Sequence, residues 1–165
     1  MVVEQLKPSG FFTIEVLDKN GKLKHKEVIQ NAVTTVGKNH MLDVTFHGSS
    51  ATGTWYIGLI DNSGYTSVPA TDTMSSHSGW NEFTTYDEST RVAWTEGAAS
   101  AASITSSSVS TFTIGGNGTL RGIFIASDST KSGTSGILWS TALFSAATAV
   151  ADDDQIKITY TVNLT

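Results

Sequence analysis

Cysteine is absent from this chain. Its absence excludes a disulfide scaffold, a thiolate zinc site and a cysteine nucleophile. Proline occurs twice, and charged side chains make up only 15% of residues, against about 25% in an ordinary globular domain. Bases are scarcer than acids, 10 against 15, for a net charge of −5. The lysines are also unevenly placed: the first 47 residues hold six of them against five acids, and the rest of the chain holds four bases against ten acids. A field of that sign repels phosphate backbones, and no basic tract exists, so no nucleic-acid partner is expected. No apolar run approaches the ~20 residues that span a bilayer, so no membrane partner is expected either. The opening MVVEQLKPSG lacks the apolar centre of a secretory signal, which fits synthesis in a cytoplasm.

Hydroxyls are abundant. The chain has 165 residues, of which 21 are Ser and 24 are Thr. That length suits one domain, able to bury roughly 68–70% of its unfolded surface without a disulfide or a metal. Richness in Thr, Val, Ile, Gly and aromatics favours strands over helices.

The clearest local pattern lies at 11–30. Phe12, Ile14 and Val16 alternate with Thr13 and Glu15, and Asn20-Gly21 precedes a second run from Leu23 to Ile29. Asn-Gly between two such runs predicts a hairpin with a two-residue type I′ turn, because both residues tolerate positive φ. The implied register sets Lys19 against Lys22, Glu15 against Lys26 and Phe12 against Ile29, so opposite charges and apolar partners face each other. Residues 1–30 are therefore read as a loose arm followed by a hairpin, and 31–165 as the main domain. Within that domain, 33–46 is the one helix candidate, with Val33, Val36, Met41 and Val44 near one face, Leu42 and Phe46 beside it, and Thr34 or Thr35 as its cap.

Downstream, Trp55-Tyr56-Ile57-Gly58-Leu59-Ile60 is short and nearly all apolar, as in a strand buried on both faces. Residues 61–90 lack periodicity and form a long excursion. Strands are expected at Arg91–Thr95, Ser108–Ile114, Leu120–Ala126 and Ile137–Phe144. GAASAAS at 97–103 reads as a loop, Gly115-Gly116-Asn117-Gly118 as a hairpin turn, and Asp152-Asp153-Asp154 as a turn. In the closing strand Ile156, Ile158, Tyr160, Val162 and Leu164 point inward and Lys157, Thr159, Thr161 and Asn163 outward. About eight strands with turn signals between them predict an all-β sandwich or jelly roll with an N-terminal hairpin and one short helix.

Candidate chemistry is sparse. His25, His40, His47 and His77 show no ligand spacing and no H-E-x-x-H, and there is no G-x-S-x-G. Three adjacent aspartates at 152–154 diverge in extended chain rather than converging on calcium, which needs six to eight oxygens at about one point. No metal, cofactor or catalytic residue is expected. The segment 80–94 concentrates aromatics and acids. Glu82, Asp87 and Glu88 are candidate carboxylates for a glycosidase. Trp80, Tyr86 and Trp94 are candidates for a sugar-stacking platform, or for anchors that pin the excursion with Arg91 paired to Asp87 or Glu88. Ordering so long a segment favours buried aromatic anchors, and that reading is preferred.

The stretch Asn31–Phe46 containing Gly37-Lys38-Asn39-His40-Met41-Leu42-Asp43-Val44-Thr45-Phe46, the run Trp55–Asp61, Tyr86–Trp94, Leu120–Phe124, and Gly136–Trp139 with Ala142-Leu143-Phe144 resemble, in this order, small virion proteins of tailed bacteriophages. The resemblance covers residues 31–165. It implies a non-enzymatic structural protein of the capsid cement, or decoration, type with a sandwich or jelly-roll body. Such a protein sits on the capsid exterior after synthesis in the host cytoplasm. Its partners would be the major capsid protein in the coat lattice and its own copies, as a homodimer or homotrimer. Phe11, Phe12, Lys22, Lys24, Lys26 and Ile29 on the hairpin are the candidate interface residues, from physics alone. The alternative is a carbohydrate- or receptor-binding module of a tail or head fibre, using Trp80, Tyr86 and Trp94.

Overall fold

A computed structural model describes residues 6–165. Of the expected arm at 1–10, positions 1–5 lie outside the described residues. The chain forms β1 (Pro8–Leu17), β2 (Leu23–Gln30), β3 (Ala32–Val33), α1 (Thr35–Phe46), β4 (Trp55–Asp61), β5 (Glu82–Phe83), β6 (Val92–Trp94), β7 (Ser103–Thr105), β8 (Ser110–Thr113), β9 (Gly118–Ala126), β10 (Leu138–Val150) and β11 (Gln155–Leu164). Two antiparallel sheets pack face to face. The first runs β2-β1-β11-β7, with β8 also on β11; the second runs β3-β10-β9-β4-β5, with β6 also on β4. The expected all-β sandwich with one helix is present. Its eleven strands exceed the expected eight because β3, β5 and β7 are only two or three residues long, too short to leave a periodic signature.

The hairpin register is as read from the sequence: Phe12 faces Ile29 and Glu15 faces Lys26. Its turn is not the expected type I′. Gly21 N–H donates to Asp18 O at 2.8 Å and Asp18 N–H to Lys22 O at 2.8 Å, which closes a three-residue loop with Gly21 at φ +80°. The Asp18 carboxylate decides this, because it accepts from Asn20 N–H and Lys22 N–H at 2.9 Å each and holds the turn in the right-handed form that precedes a left-handed glycine. The odd loop would shift the register by one. A bulge that leaves Lys24 unpaired, between His25 opposite Val16 and Leu23 opposite Leu17, restores it.

The hairpin is not a separate arm. β1 pairs with β11 from Pro8↔Leu164 to Leu17↔Gln155. Its inward residues Phe12, Ile14 and Val16 are fully buried in the core they share with Ile57, Leu59, Phe112, Ile123, Ile125, Ile156, Ile158 and Tyr160. Each such side chain withdrawn from water contributes roughly 1.5–3 kcal/mol. The boundary at residue 30 therefore divides the sequence but not the core.

The second sheet is buried on both faces. Its outer side carries a second cluster of Ile60, Met74, Trp80, Phe124, Ala126 and Leu138, joined by Val36, Tyr65 and Val68. The residues between β4 and β5 supply Met74, Trp80, Tyr65 and Val68, so the long excursion is the lid of this cluster. This explains the unbroken apolar run of β4. Gly58 lies opposite Phe124 and makes room for that ring: a Cβ at Gly58 would stand 2.1 Å from Phe124 Cζ. Trp80 tilts onto Phe124 at 5.0 Å and Arg91 covers it at 5.0 Å.

The helix starts two residues later than expected, because Val33 pairs with Ser140 as part of β3. Thr34 is the cap, accepting from Gly37 N–H at 3.0 Å. Gly37 is where the helix meets the sheet, since a Cβ there would come within 2.6 Å of Trp139 O. Leu42 and Phe46 do not join the buried face; they are 48% and 79% exposed. Gly115-Gly116-Asn117 is not a hairpin turn either. β8 belongs to the first sheet and β9 to the second, so the glycines carry the chain between layers.

Candidate functional site

The structure separates the sequence candidates into two groups. Phe12 and Ile29 are buried, at 0% and 7% exposure, because they point inward on β1 and β2. Both belong to the core and not to the surface. Phe11 is half-buried on the opposite face, and Lys22, Lys24 and Lys26 are exposed.

Trp80, Tyr86 and Trp94 are 1%, 4% and 5% exposed, so none offers a stacking face to a sugar. All three pack against partners inside the protein. Trp80 Nε1–H donates to Asp72 Oδ2 at 2.9 Å. Tyr86 meets Phe112 edge-on at 4.9 Å, and Trp94 meets Tyr160 at 5.0 Å. The expected partners of Arg91 are not the observed ones. Arg91 binds Glu82 through Nε and Nη2 at 2.9 and 2.7 Å. Glu88 instead accepts from Thr113 N–H at 3.0 Å. Among the carboxylates considered for glycosidase chemistry, Glu82 is thus neutralised in an ion pair and Glu88 caps a strand. Among the described residues no group of three His, Asp or Glu is placed to hold a metal.

Two surface features remain. The first is the outer face of the β2-β1-β11-β7/β8 sheet. Residues paired directly across strands share a face, and the registers build three rows on this one: Lys26–Glu15–Lys157–Thr111, Val28–Thr13–Thr159 and Gln30–Phe11–Thr161–Thr105. These side chains are exposed or half-exposed, and the helix packs on β10 of the other sheet. Lys26 Nζ and Glu15 Oε1 form an ion pair at 2.7 Å. The hydrogen bond from Lys26 holds the Glu15 carboxyl below its ordinary value, and Lys157 adds a smaller pull the same way. Beside this face, Lys24 pairs with Asp154 in the β10–β11 turn, where Asp154 also accepts from Ala151 N–H at 2.8 Å. The triple aspartate is therefore a turn device, as read from the sequence, with Asp153 in the left-handed region at φ +65°.

The second feature is a groove of about 300 Å³ where α1 meets one end of the sandwich. Met41, Val44 and Thr45 line it from the helix, Trp55, Trp94 and Trp139 from the second sheet, and Ile104 and Val162 from the first. His40 stands edge-on to Trp55 at 5.8 Å and its Nε2 meets Thr52 Oγ1 at 3.0 Å. Trp55 and Trp139 tilt together at 5.9 Å. No sequence signal grouped these residues, because they come from six separate elements.

No protein-family model matches this chain, and no curated protein matches it.

Proposed function

We propose that this chain is a non-enzymatic structural protein that works by adhesion, as a capsid cement protein on the exterior of a tailed-phage head. Its partner in this reading is the assembled major capsid protein, with its own copies as neighbours in a homodimer or homotrimer. A protein that binds the assembled lattice and not the free subunits adds its binding free energy to shell stability.

The observation that supports this reading is the open outer face of the first sheet. One sheet of the sandwich is covered on both sides, and the other leaves a hydroxyl-rich surface uncovered, crossed by the row Lys26–Glu15–Lys157. Thr and Ser on a β surface offer short, low-entropy hydrogen-bonding groups, and the row of charges orients docking. Phe11 and Val28 add apolar contact on the same face.

Deleting residues 1–30 would remove two strands and much of the core, so the test uses surface substitutions. Purified protein is incubated with mature shells stripped of their accessory proteins, and occupancy is read after sedimentation. Wild type should saturate the shells and raise the temperature at which they release DNA. The double variant Lys26→Glu/Lys157→Glu should fold normally and lose most of its occupancy. Full occupancy by that variant would refute the role of this face. Absence of wild-type binding to heads, with binding to tails, would refute the cement reading.

A further inference from the structure

We propose that the groove beside α1 is a recognition site for an apolar peptide segment carrying one arginine or lysine, with the alkyl stem against the indoles and the cation at Glu96. The inference is independent of the adhesive sheet face and does not rest on the cement reading.

Three observations lead to it. First, the lining is aromatic and apolar at a volume of about 300 Å³, the lower end of the range for sites that take small ligands or single side chains. Second, two of its three indoles keep their polar edges out of it. Trp94 Nε1–H donates to Ser106 Oγ at 2.9 Å and Trp139 Nε1–H to Tyr160 OH at 2.8 Å. With those donors committed inside the protein, the groove sees hydrocarbon and π surface, which an alkyl chain and a cation both favour. Third, the charge is one-sided. Glu96 is the one carboxylate of the lining, it is exposed, and it takes part in none of the ion pairs among the described residues. No lysine or arginine lines the groove, and its one other titratable side chain, His40, is engaged with Thr52. An anionic segment would meet Glu96 unfavourably, and a neutral one would gain no charge contact from it. A segment pairing an apolar side chain with arginine or lysine satisfies both surfaces at once.

The test uses the four tryptophans as reporters. Three line the groove, and Trp80, 1% exposed in the second core, is outside its lining and serves as an internal control. The ¹⁵N-labelled protein is titrated with acetyl-leucyl-arginine amide, and with acetyl-leucyl-citrulline amide as the uncharged probe of the same shape. The indole N–H signals of Trp55 and Trp139 should shift saturably with the arginine probe while Trp80 stays fixed, and citrulline should bind about fivefold more weakly, the scale of one exposed cation contact. Glu96→Gln should erase the difference between the probes. Ala51→Phe, on the exposed loop at the groove's rim, should abolish binding of both. The proposal is overturned if the groove indoles do not shift, if Trp80 shifts with them, or if wild type binds the two probes equally.

Discussion

Arg91 and Glu82 form a buried ion pair whose disruption should be the most damaging polar change in the protein. Their side chains are 0% and 4% exposed. Four of the five guanidinium N–H donors are engaged: Nε and Nη2 donate to the two oxygens of Glu82, Nη1 to Asp128 O at 2.9 Å, and Nη2 also to Gly133 O at 3.0 Å. Glu82 also accepts from Ser132 N–H at 2.8 Å. The pair therefore ties β5 and the residue before β6 to the 127–136 connection. Glu82→Ala leaves a guanidinium buried with two carbonyls and no counter-ion. Breaking a buried pair from one side costs about 3–5 kcal/mol, and the free Ser132 N–H adds to this. The double change Glu82→Leu/Arg91→Met removes both charges and should recover most of the loss, because the desolvation penalty disappears with the Coulomb attraction. Urea unfolding monitored by tryptophan fluorescence measures Glu82→Ala, the double variant and its two singles, Glu82→Leu and Arg91→Met. The reasoning is refuted if Glu82→Ala costs under about 1 kcal/mol, the range of a solvent-exposed pair, or if the double variant is as unstable as the sum of its singles.

Two further outcomes follow from the same geometry. Ala101 and Ala102 occupy the left-handed region at φ +50° and +57° at the tip of the Ser100–Ser103 hairpin, where each costs roughly 1–2 kcal/mol; Ala101→Asn with Ala102→Gly should raise the unfolding midpoint, and an unchanged or lower midpoint would contradict the strain. Burial pushes the Tyr160 phenol up to about 12 and Tyr86 up as well. Both ionise more readily once unfolded, so their contribution is complete below about pH 10 and is lost as pH rises towards 12. Absorbance at alkaline pH should show two of the four tyrosines titrating only with unfolding; four normal titrations in the folded protein would contradict it.

How much of this was legible in the sequence depended on whether the deciding contact was local. The β1–β2 register followed from Glu15 facing Lys26 and Phe12 facing Ile29, and β11 from its strict alternation, because period and cross-strand chemistry agree within a few residues. The cap was narrowed to Thr34 or Thr35 for the same reason, and the structure selects Thr34. The turn at Asn20-Gly21 was misread because one side chain two residues earlier, Asp18, outweighs the dipeptide's own preference. Arg91 was paired with its sequence neighbours Asp87 and Glu88, whereas the chain returns to place Glu82 there. The apolar spacing at 33–46 marks both the helix and, in Val33, Val36, Met41 and Val44, the side turned to the protein. It does not show that Gly37 makes the close contact with Trp139, or that Leu42 and Phe46, beside that face, are exposed. The groove was wholly invisible, since it exists only where six elements meet.

The two sheets differ in a way that bears on function more than any single residue does. Sheet β3-β10-β9-β4-β5 needs a lid because Ile60, Phe124, Ala126 and Leu138 face outward, and the residues between β4 and β5 exist to supply it. Trp80 and Met74, buried under that lid, anchor it to the sheet. The other sheet places Thr13, Thr159, Thr161, Glu15 and Lys157 outward and needs no lid. A bare sheet face in water is stable only when its side chains are polar, and the same polarity keeps its β2 edge, with Lys24 bulged and Lys26 exposed, from pairing with any passing strand. The chain thus insulates one face with structure and leaves the other open by composition. If the open face is the working surface, substitutions there should change binding without changing stability, whereas substitutions under the lid should change stability first and binding only through it.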